Sequence, residues 1–224
     1  TSRGLGDVYK RQDDRVRRSV LVDAGADILV YGMGEYASIE IAGRLKKKLP
    51  IASMTDIRGT AVMLSELPDW AGEAVLLPSY EAVCASGEDY ALATREEYAQ
   101  HDPVRGKALI QGHDKRWLLV NPPAMPLSRE ELDRVAELPY TRQYHPMYEP
   151  LGGVPAIEEV KFSVIHNRGC FGGCNFCALA FHQGRMVTSR SHESLVREVT
   201  ALTKLPDFKA VSYTHLTLPT NSLV

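Results

Sequence analysis

The stretch Cys170-Phe-Gly-Gly-Cys174-Asn-Phe-Cys177 holds three of the four cysteines in this chain, at the spacing C-x3-C-x2-C. Neighbouring thiolates oxidise or bind metal readily, so free thiols in such a group are costly to keep. Three thiolates fill three corners of a four-iron four-sulfur (4Fe-4S) cluster and leave one iron without a protein ligand. Because that iron can bind a small molecule, the spacing indicates catalysis rather than electron storage.

Other uses of this cysteine pattern fit less well. A structural zinc site takes four ligands, usually as two closely spaced pairs, and the nearest candidate for a fourth ligand here is His182. Cys84 lies far away in sequence. A disulfide framework is typical of an even, distributed set of cysteines, and a ferredoxin cluster needs a fourth cysteine. The residues favour an iron–sulfur cluster, with a zinc or redox-thiol site as the alternative.

With Phe176 directly before its last cysteine, the motif resembles the cluster loop of radical S-adenosylmethionine (radical SAM) enzymes. The flanking sequence is more specific and resembles the YgiQ family of radical SAM proteins. This resemblance covers about residues 13–209. The runs that carry it are Asp14–Gly32, Glu158–Val164, Cys177–Arg185 and Ser189–Ser194.

The resemblance implies both a chemistry and its cofactors. Cys170, Cys174 and Cys177 would each ligate one iron of a 4Fe-4S cluster, and S-adenosylmethionine would chelate the fourth iron. One electron from the cluster would cleave S-adenosylmethionine to a 5′-deoxyadenosyl radical, which would take hydrogen from a substrate that the sequence does not identify. The electron would come from a donor such as flavodoxin or ferredoxin. Phe176 would lie near the adenine, with ordinary core packing as the alternative.

After the motif, the sequence matches the family at His182, Gln183 and Arg185. These three residues are expected in a loop near the site, but none can be named as a general base. Two related radical SAM classes stay open as alternatives. A methylthiotransferase needs further clustered cysteines upstream, where only Cys84 is present, and a cobalamin-dependent methyltransferase needs a histidine motif that the chain lacks. A non-catalytic zinc-binding or redox module is the third alternative.

Composition is ordinary for a globular protein of one or two domains: 224 residues, 44% hydrophobic, 24% charged, net charge −2. This charge balance gives no electrostatic case for nucleic acid or an anionic membrane as a partner. No apolar run approaches the roughly 20 residues of a membrane-spanning helix, and the N-terminal segment lacks the apolar core of a signal peptide. Together with clustered, reduced cysteines, these features predict a cytoplasmic protein.

We predict an α/β protein in five segments. Residues 1–12 and 210–224 resemble translated sequencing-adapter read-through and are expected to be non-native ends, so that the chain is an internal fragment of a longer protein. Residues 13–105 are expected to be the C-terminal part of a Rossmann-like, cobalamin-binding-like domain. A hairpin, a helix and a proline-rich linker follow over 106–155. Residues 156–209 would hold the first β/α unit of a truncated radical SAM barrel, with the cluster loop.

Local patterns near the start predict a buried strand at Asp27–Tyr31 and a helix at Glu35–Lys48. Between them, Gly32-Met-Gly-Glu-Tyr-Ala37 matches the dinucleotide pattern G-x-G-x-x-A, which is a weak signal alone. We interpret Gly32 and Gly34 as turn glycines. Cys84 is expected to be a buried small side chain.

Further along, two β-prone runs at Lys107–Gln111 and Arg116–Val120 predict a hairpin. Val160, Phe162 and Val164 alternate with polar residues, which predicts a strand that ends just before the cysteines. In a β/α barrel the loop after such a strand carries the active site. Helices are expected at 88–101, from the capping box Ser128-Arg-Glu-Glu131 to about 137, and from Ser191 to about 205.

A barrel of one or two strands would expose open edges and an unfinished core. We therefore expect the 224-residue chain alone to be inactive and poorly folded. Anaerobic iron reconstitution tests this expectation, because measurable cleavage of S-adenosylmethionine by the isolated chain would contradict it.

Overall fold

The structure is a computed structural model that describes residues 15–174 and 177–208. The chain divides into two compact units. The first unit runs to Pro126 and includes Arg168–Val187, and the second takes Leu127–Asn167 and the residues from Thr188 onward. The segments predicted to be non-native ends, 1–12 and 210–224, lie outside the described residues. Within the part of the chain that is described, no helix is long and apolar enough to span a membrane.

A five-stranded sheet forms the centre of the first unit. Its strands, in the spatial order β1-β2-β5-β4-β3, are β1 (Ile28–Val30), β2 (Thr60–Leu64), β3 (Val75–Leu76), β4 (Leu109–His113) and β5 (Arg116–Val120). Only β3 and β4 run parallel, and the other neighbours are antiparallel. The protein is therefore mixed α/β, as predicted, but the described residues do not show a Rossmann-like arrangement, which has a parallel sheet. Strands β2 and β3 were not predicted.

The predicted hairpin is confirmed as β4–β5, with Ile110 opposite Leu119 and His113 opposite Arg116. Asp114 at the turn has φ of 53°, a left-handed conformation that Asp tolerates better than most residues. Leu119, fully buried, packs with Ile110 and with Val62 of β2. The three central strands thus share one apolar layer.

The described residues of the first unit form five helices: α1 (Val20–Ala24), α2 (Glu35–Lys46), α3 (Tyr80–Ala85), α4 (Gly87–Gln100) and α7 (Leu179–Gln183). Helices α2 and α4 confirm the helices predicted at Glu35–Lys48 and 88–101. Two short 3-10 helices also occur, at Ile51–Ser53 and Asp69–Glu73. The predicted burial of Cys84 is wrong: the thiol is exposed, because α3 turns Val83 towards the interior instead.

The second unit contains helices α5 (Arg129–Ala136), α6 (Ile157–Val160) and α8 (His192–Leu202), and the 3-10 segment Pro146–Leu151. The capping box on α5 is formed as predicted, since Ser128 and Glu131 each accept from the other's backbone N–H. The Ser191 side chain caps α8 by accepting from the Ser194 N–H. Two strands of two residues each, β6 (Asn167–Arg168) and β7 (Thr188–Ser189), lie where the chain passes between the units.

The strand predicted over 158–167 is wrong for most of its length. Helix α6 occupies Ile157–Val160, a turn follows, and β6 begins only at Asn167. Glu158 and Glu159 stand in the first turn of α6, where acidic residues suit the helix dipole. The Phe162 ring, expected on a strand, instead meets the edge of the Phe208 ring with centroids 5.4 Å apart.

Candidate metal centre

The start of the cysteine loop is held by Gln183 at the end of α7 and by Gly184, which follows it. The Cys170 N–H donates to the Gly184 carbonyl at 3.0 Å, and the Gly169 N–H donates to Gln183 Oε1 at 3.2 Å. Gly169 is buried with φ of 89°, and a Cβ there would lie 2.2 Å from the Met186 carbonyl oxygen. Residue 169 must therefore be glycine, and its backbone fixes where Cys170 begins.

Two of the predicted ligand sulfurs face the same glycine. A Cβ at Gly172 would lie 3.3 Å from Cys170 Sγ and 3.8 Å from Cys174 Sγ. The Gly172 N–H also donates to Cys170 Sγ at 3.4 Å. The space beside both sulfurs is open because residue 172 has no side chain. In this respect the loop fits a metal cluster held by Cys170 and Cys174.

The third predicted ligand is less closely placed. The Cys177 N–H donates to the Cys174 carbonyl at 3.1 Å, and both thiols are exposed, whereas Cys170 is half-buried. Among residues 15–174 and 177–208, no three His, Cys, Asp or Glu side chains lie close enough together to hold a metal ion. Within these residues, His182 therefore does not complete a site with the cysteines. Metal binding itself commonly brings the ligand side chains of a site together. Phe176, the predicted adenine neighbour, lies outside the described residues.

His182 and Gln183 lie in helix α7 rather than in the predicted loop, whereas Arg185 follows the helix in a loop. The Phe181 ring contacts Tyr98 and His101 of the first unit, with ring centroids 5.3 Å and 5.2 Å apart. The Arg185 guanidinium lies 4.6 Å above the Tyr98 ring and donates to its hydroxyl. Tyr98 thus packs against α7. Burial lowers the pKa of His101, so its neutral form is favoured.

The other two residues matched after the motif have different surroundings. The His182 side chain is exposed, while Gln183 holds Gly169 through its amide oxygen. The His182 carbonyl oxygen lies 3.5 Å from where a Cβ on Gly32 would be, and Gly32 has φ of 68°. The positive φ confirms Gly32 as a turn glycine, and this turn lies next to α7. None of the three residues has an evident role as a base.

An ion pair that the sequence did not reveal joins the glycine turn to the cysteine loop. Arg168 Nη1 donates to Glu35 Oε1, and the two side chains are 20% and 23% exposed. Arg168 Nη1 is also 4.0 Å from the Met33 sulfur. Asp56, at the spacing of a ribose-binding acid, instead pairs with Arg44 at 2.5 Å, and this contact lowers its pKa.

Comparison with known proteins gives concordant matches. The family described as Radical SAM N-terminal matches residues 7–163, so the match ends before the clustered cysteines. A UPF0313 protein of Clostridium perfringens is 48% identical over 207 residues, which are 92% of this chain and 31% of that protein. A UPF0313 protein of Clostridium botulinum is 45% identical over 210 residues, 92% of this chain and 32% of that protein. No solved structure is significantly similar. The chain spans about a third of the length of these curated relatives.

Proposed function

Because this chain belongs to the radical SAM N-terminal family, among UPF0313 (YgiQ-like) proteins, we propose that the whole protein is a radical SAM enzyme. Cys170, Cys174 and Cys177 would hold its 4Fe-4S cluster, and S-adenosylmethionine would be the second cofactor. When bound, such a cluster supplies the electron that cleaves S-adenosylmethionine to a 5′-deoxyadenosyl radical. The reaction would remove hydrogen from a substrate whose class is open.

The observation that supports this proposal best is the space beside Gly172. A Cβ on residue 172 would lie 3.3 Å from Cys170 Sγ and 3.8 Å from Cys174 Sγ, so a side chain here would crowd both sulfurs. A glycine here would be unnecessary for two unrelated surface thiols. The match to the family model ends at residue 163 and does not include this loop.

Backbone groups of the loop would tune the thiolates. The Gly172 N–H directed at Cys170 Sγ withdraws charge from that sulfur, and such hydrogen bonds raise the reduction potential of iron–sulfur clusters. The Cys170 N–H is already used by the Gly184 carbonyl, which keeps the first ligand in place. Cys174 and Cys177 face solvent, so a cofactor and an electron donor can approach from that side.

The remaining parts of the proposal follow the family resemblance. Phe176 is kept as the aromatic residue near the adenine, and residues 156–209 as the start of the barrel that would carry the loop. Residues 13–105 would be the preceding domain, and residues 106–155 would be the hairpin, helix and proline-rich linker that follow it. A flavodoxin or ferredoxin is the proposed electron donor. No side chain is assigned to proton transfer.

Metal analysis of the whole protein tests the proposal. Purified without air and supplied with ferrous iron and sulfide, it should bind about four irons per chain and show a broad visible absorption that bleaches on reduction. Addition of S-adenosylmethionine and a reductant should then release 5′-deoxyadenosine. Changing Cys170, Cys174 and Cys177 together to alanine should abolish the iron, the absorption and the product.

Cys84→Ala is the matched control, because Cys84 is the one other cysteine and its thiol is exposed on α3. This variant should keep the full iron content and product yield. Uptake of zinc in place of iron by the wild-type protein, or iron retained by the triple variant, would refute the proposal.

A further inference from the structure

Arg168 stands two residues before Cys170, and its partner Glu35 lies 133 residues away in sequence. Each side chain is about four-fifths buried. An ion pair at this depth is screened less by salt than a surface pair, and breaking it leaves one charge without its partner. The pair is therefore able to hold the start of the cysteine loop against the turn that precedes α2.

Glu35 depends on this arginine. Its second oxygen, Oε2, is buried and has no hydrogen-bond partner among the described residues. Glu35 is also the first residue of α2, where the helix dipole favours a negative charge. Removing Arg168 would take the partner of Oε1 as well, and would leave the carboxylate without its cation. The contact that holds the turn against the loop would then be lost.

Backbone contacts bracket Cys170 on the same side. Gly169 and Cys170 donate to groups of residues 183 and 184, and the His182 carbonyl lies against Gly32 of the turn. The ion pair between Arg168 and Glu35 joins the start of the cysteine loop directly to this turn, next to Met33. Cys170 is consequently half-buried while Cys174 is exposed.

We propose that Arg168 and Glu35 are positioning residues, which fix Cys170 so that the loop presents its first thiolate in one place during cluster assembly. This inference rests on the proposed function. Neither residue would touch the cluster. The pair acts through the backbone from Arg168 to Cys170. Groups that hydrogen-bond a metal ligand directly are commonly worth about 10–100-fold in metal affinity, and a pair acting at one remove should be worth less.

Charge reversal in the whole protein tests the inference. Under limiting iron and sulfide, Arg168→Glu and Glu35→Arg should each lower the iron bound per chain by about threefold or more. The double variant, with the charges exchanged, should recover at least about half of the loss, because the two effects are coupled. Glu35→Gln, a neutral variant of the same shape, covers the case in which charge reversal prevents folding.

Arg95→Glu is the matched control, since Arg95 is 72% exposed and pairs only with its neighbour Glu96 among the contacts described. It should bind iron like the wild type. Circular dichroism of every variant separates lost positioning from lost folding. Folded single variants with wild-type iron content would overturn the inference, and so would a double variant no better than the single variants.

A second readout works without iron and separates this inference from the proposed function. In the iron-free protein, Cys170 should react with iodoacetamide more slowly than Cys174. Glu35→Gln, which leaves the charge of residue 168 beside Cys170 in place, should raise the Cys170 rate about threefold or more while leaving the Cys174 rate unchanged. If the wild type bound no cluster, the proposed function would fail, and this ratio would still decide the positioning role. An unchanged ratio would overturn it.

Discussion

Residues 107–120 and residues 158–166 both carry sequence signals of β-strands, yet they fold differently. The signal is a pair of short apolar runs in the first stretch and an alternation of apolar and polar side chains in the second. The first stretch becomes the hairpin β4–β5, whose strands pair with each other and, through β5, with β2. The second starts with the helical turn α6 and has no strand before β6. The two stretches differ in which groups form hydrogen bonds with the backbone.

In the hairpin, the strand ladder satisfies the backbone groups. In the second stretch, two arginine side chains donate to the backbone carbonyls instead. These contacts run from Arg142 Nη1 to Lys161 and Ser163, at 3.3 Å each, and from Arg190 Nη1 to Ile165, at 3.1 Å. An alternating pattern thus predicts a chain that needs hydrogen-bond partners, but it does not say whether a strand or a side chain will supply them.

Both arginines are in turn held by one carboxylate. Glu198 of α8 pairs with Arg142 through one oxygen and with Arg190 through the other. The Arg190 side chain is 1% exposed and also donates to Ser194 Oγ at 2.8 Å, while Glu198 is 12% exposed. The second unit thus depends on a buried charge network where the first unit depends on an apolar layer.

The largest expected effect comes from breaking that network. Glu198→Ala would leave the buried Arg190 charge without a carboxylate, which should cost about 4 kcal/mol of unfolding free energy. The loss should appear as faster amide hydrogen exchange in α8, because both tryptophans, Trp70 and Trp117, lie in the first unit and do not report on the second.

Glu137→Ala is the control for this prediction. It removes the ion pair with Arg197, whose side chains are 37% and 58% exposed, from the same unit. Exposed pairs contribute little, so exchange in α8 should change far less than for Glu198→Ala. Equal effects of the two variants would show that the arginine network does not hold the second stretch.

The next effect concerns the hairpin. Leu119→Ala removes a fully buried side chain that packs with Val62 and Ile110, and it should cost about 3 kcal/mol through lost burial and the cavity left behind. Urea unfolding followed by Trp117 fluorescence measures it. Val160→Ala, at a position that is 55% exposed, removes a similar apolar residue from the second stretch. Amide hydrogen exchange in α8 of the same unit should show a change in stability of less than about 0.5 kcal/mol. A comparable loss for Val160→Ala would mean that this side chain is buried after all.

The same contrast explains which elements could be predicted from the sequence. The β4–β5 hairpin and helices α2, α5 and α8 have local start signals, such as a turn, a cap or a capping box, within a few residues. Strands β2 and β3 have no such local signal. Strand β2 is stabilised by pairing with β1 and β5, which are distant in sequence. Cys84 was expected inside because its residue type is usually buried, but Val83 takes the interior position on α3.

For the candidate site, spacing alone was enough to single out Cys170, Cys174 and Cys177, since all three fall within eight residues. The open space at Gly172 depends on where two sulfurs lie around it, which the string of residues does not specify. The Arg168–Glu35 pair joins residues 133 positions apart, and no local pattern connects them. Contacts of this range follow from the fold and could be found only there.

The smallest expected effect is a pH dependence of the hairpin. His113 is 5% exposed, and its ring stacks on Tyr80 with centroids 5.2 Å apart. Gln111 donates its amide N–H to the Pro78 carbonyl at 3.0 Å, so its Oε1 accepts from His113 Nε2, also at 3.0 Å. Nδ1 is buried and has no hydrogen-bond partner among the described residues. A proton added at Nδ1 would therefore be buried without an acceptor.

Burial lowers the pKa of His113 below its usual 6.5, although the nearby Glu81 carboxylate partly opposes this effect. The unfolded chain then binds a proton at a higher pH than the folded chain does. Stability is full above about pH 6.5 and falls as the pH drops from there through the lowered pKa of the folded state. Unfolding in urea, followed by Trp117 fluorescence between about pH 7.5 and 5.5, should show this loss.

The control is His113→Phe, which keeps a ring for the Tyr80 stack and removes the titrating group. The variant is expected to be less stable at pH 7.5, because Gln111 Oε1 loses its donor. Its stability should nevertheless fall less between pH 7.5 and 5.5 than that of the wild type, with a residual slope from His101, whose pKa burial also lowers. If the two slopes were equal, the hairpin would owe its acid sensitivity to some other group, and the buried Nδ1 would have found an acceptor on protonation.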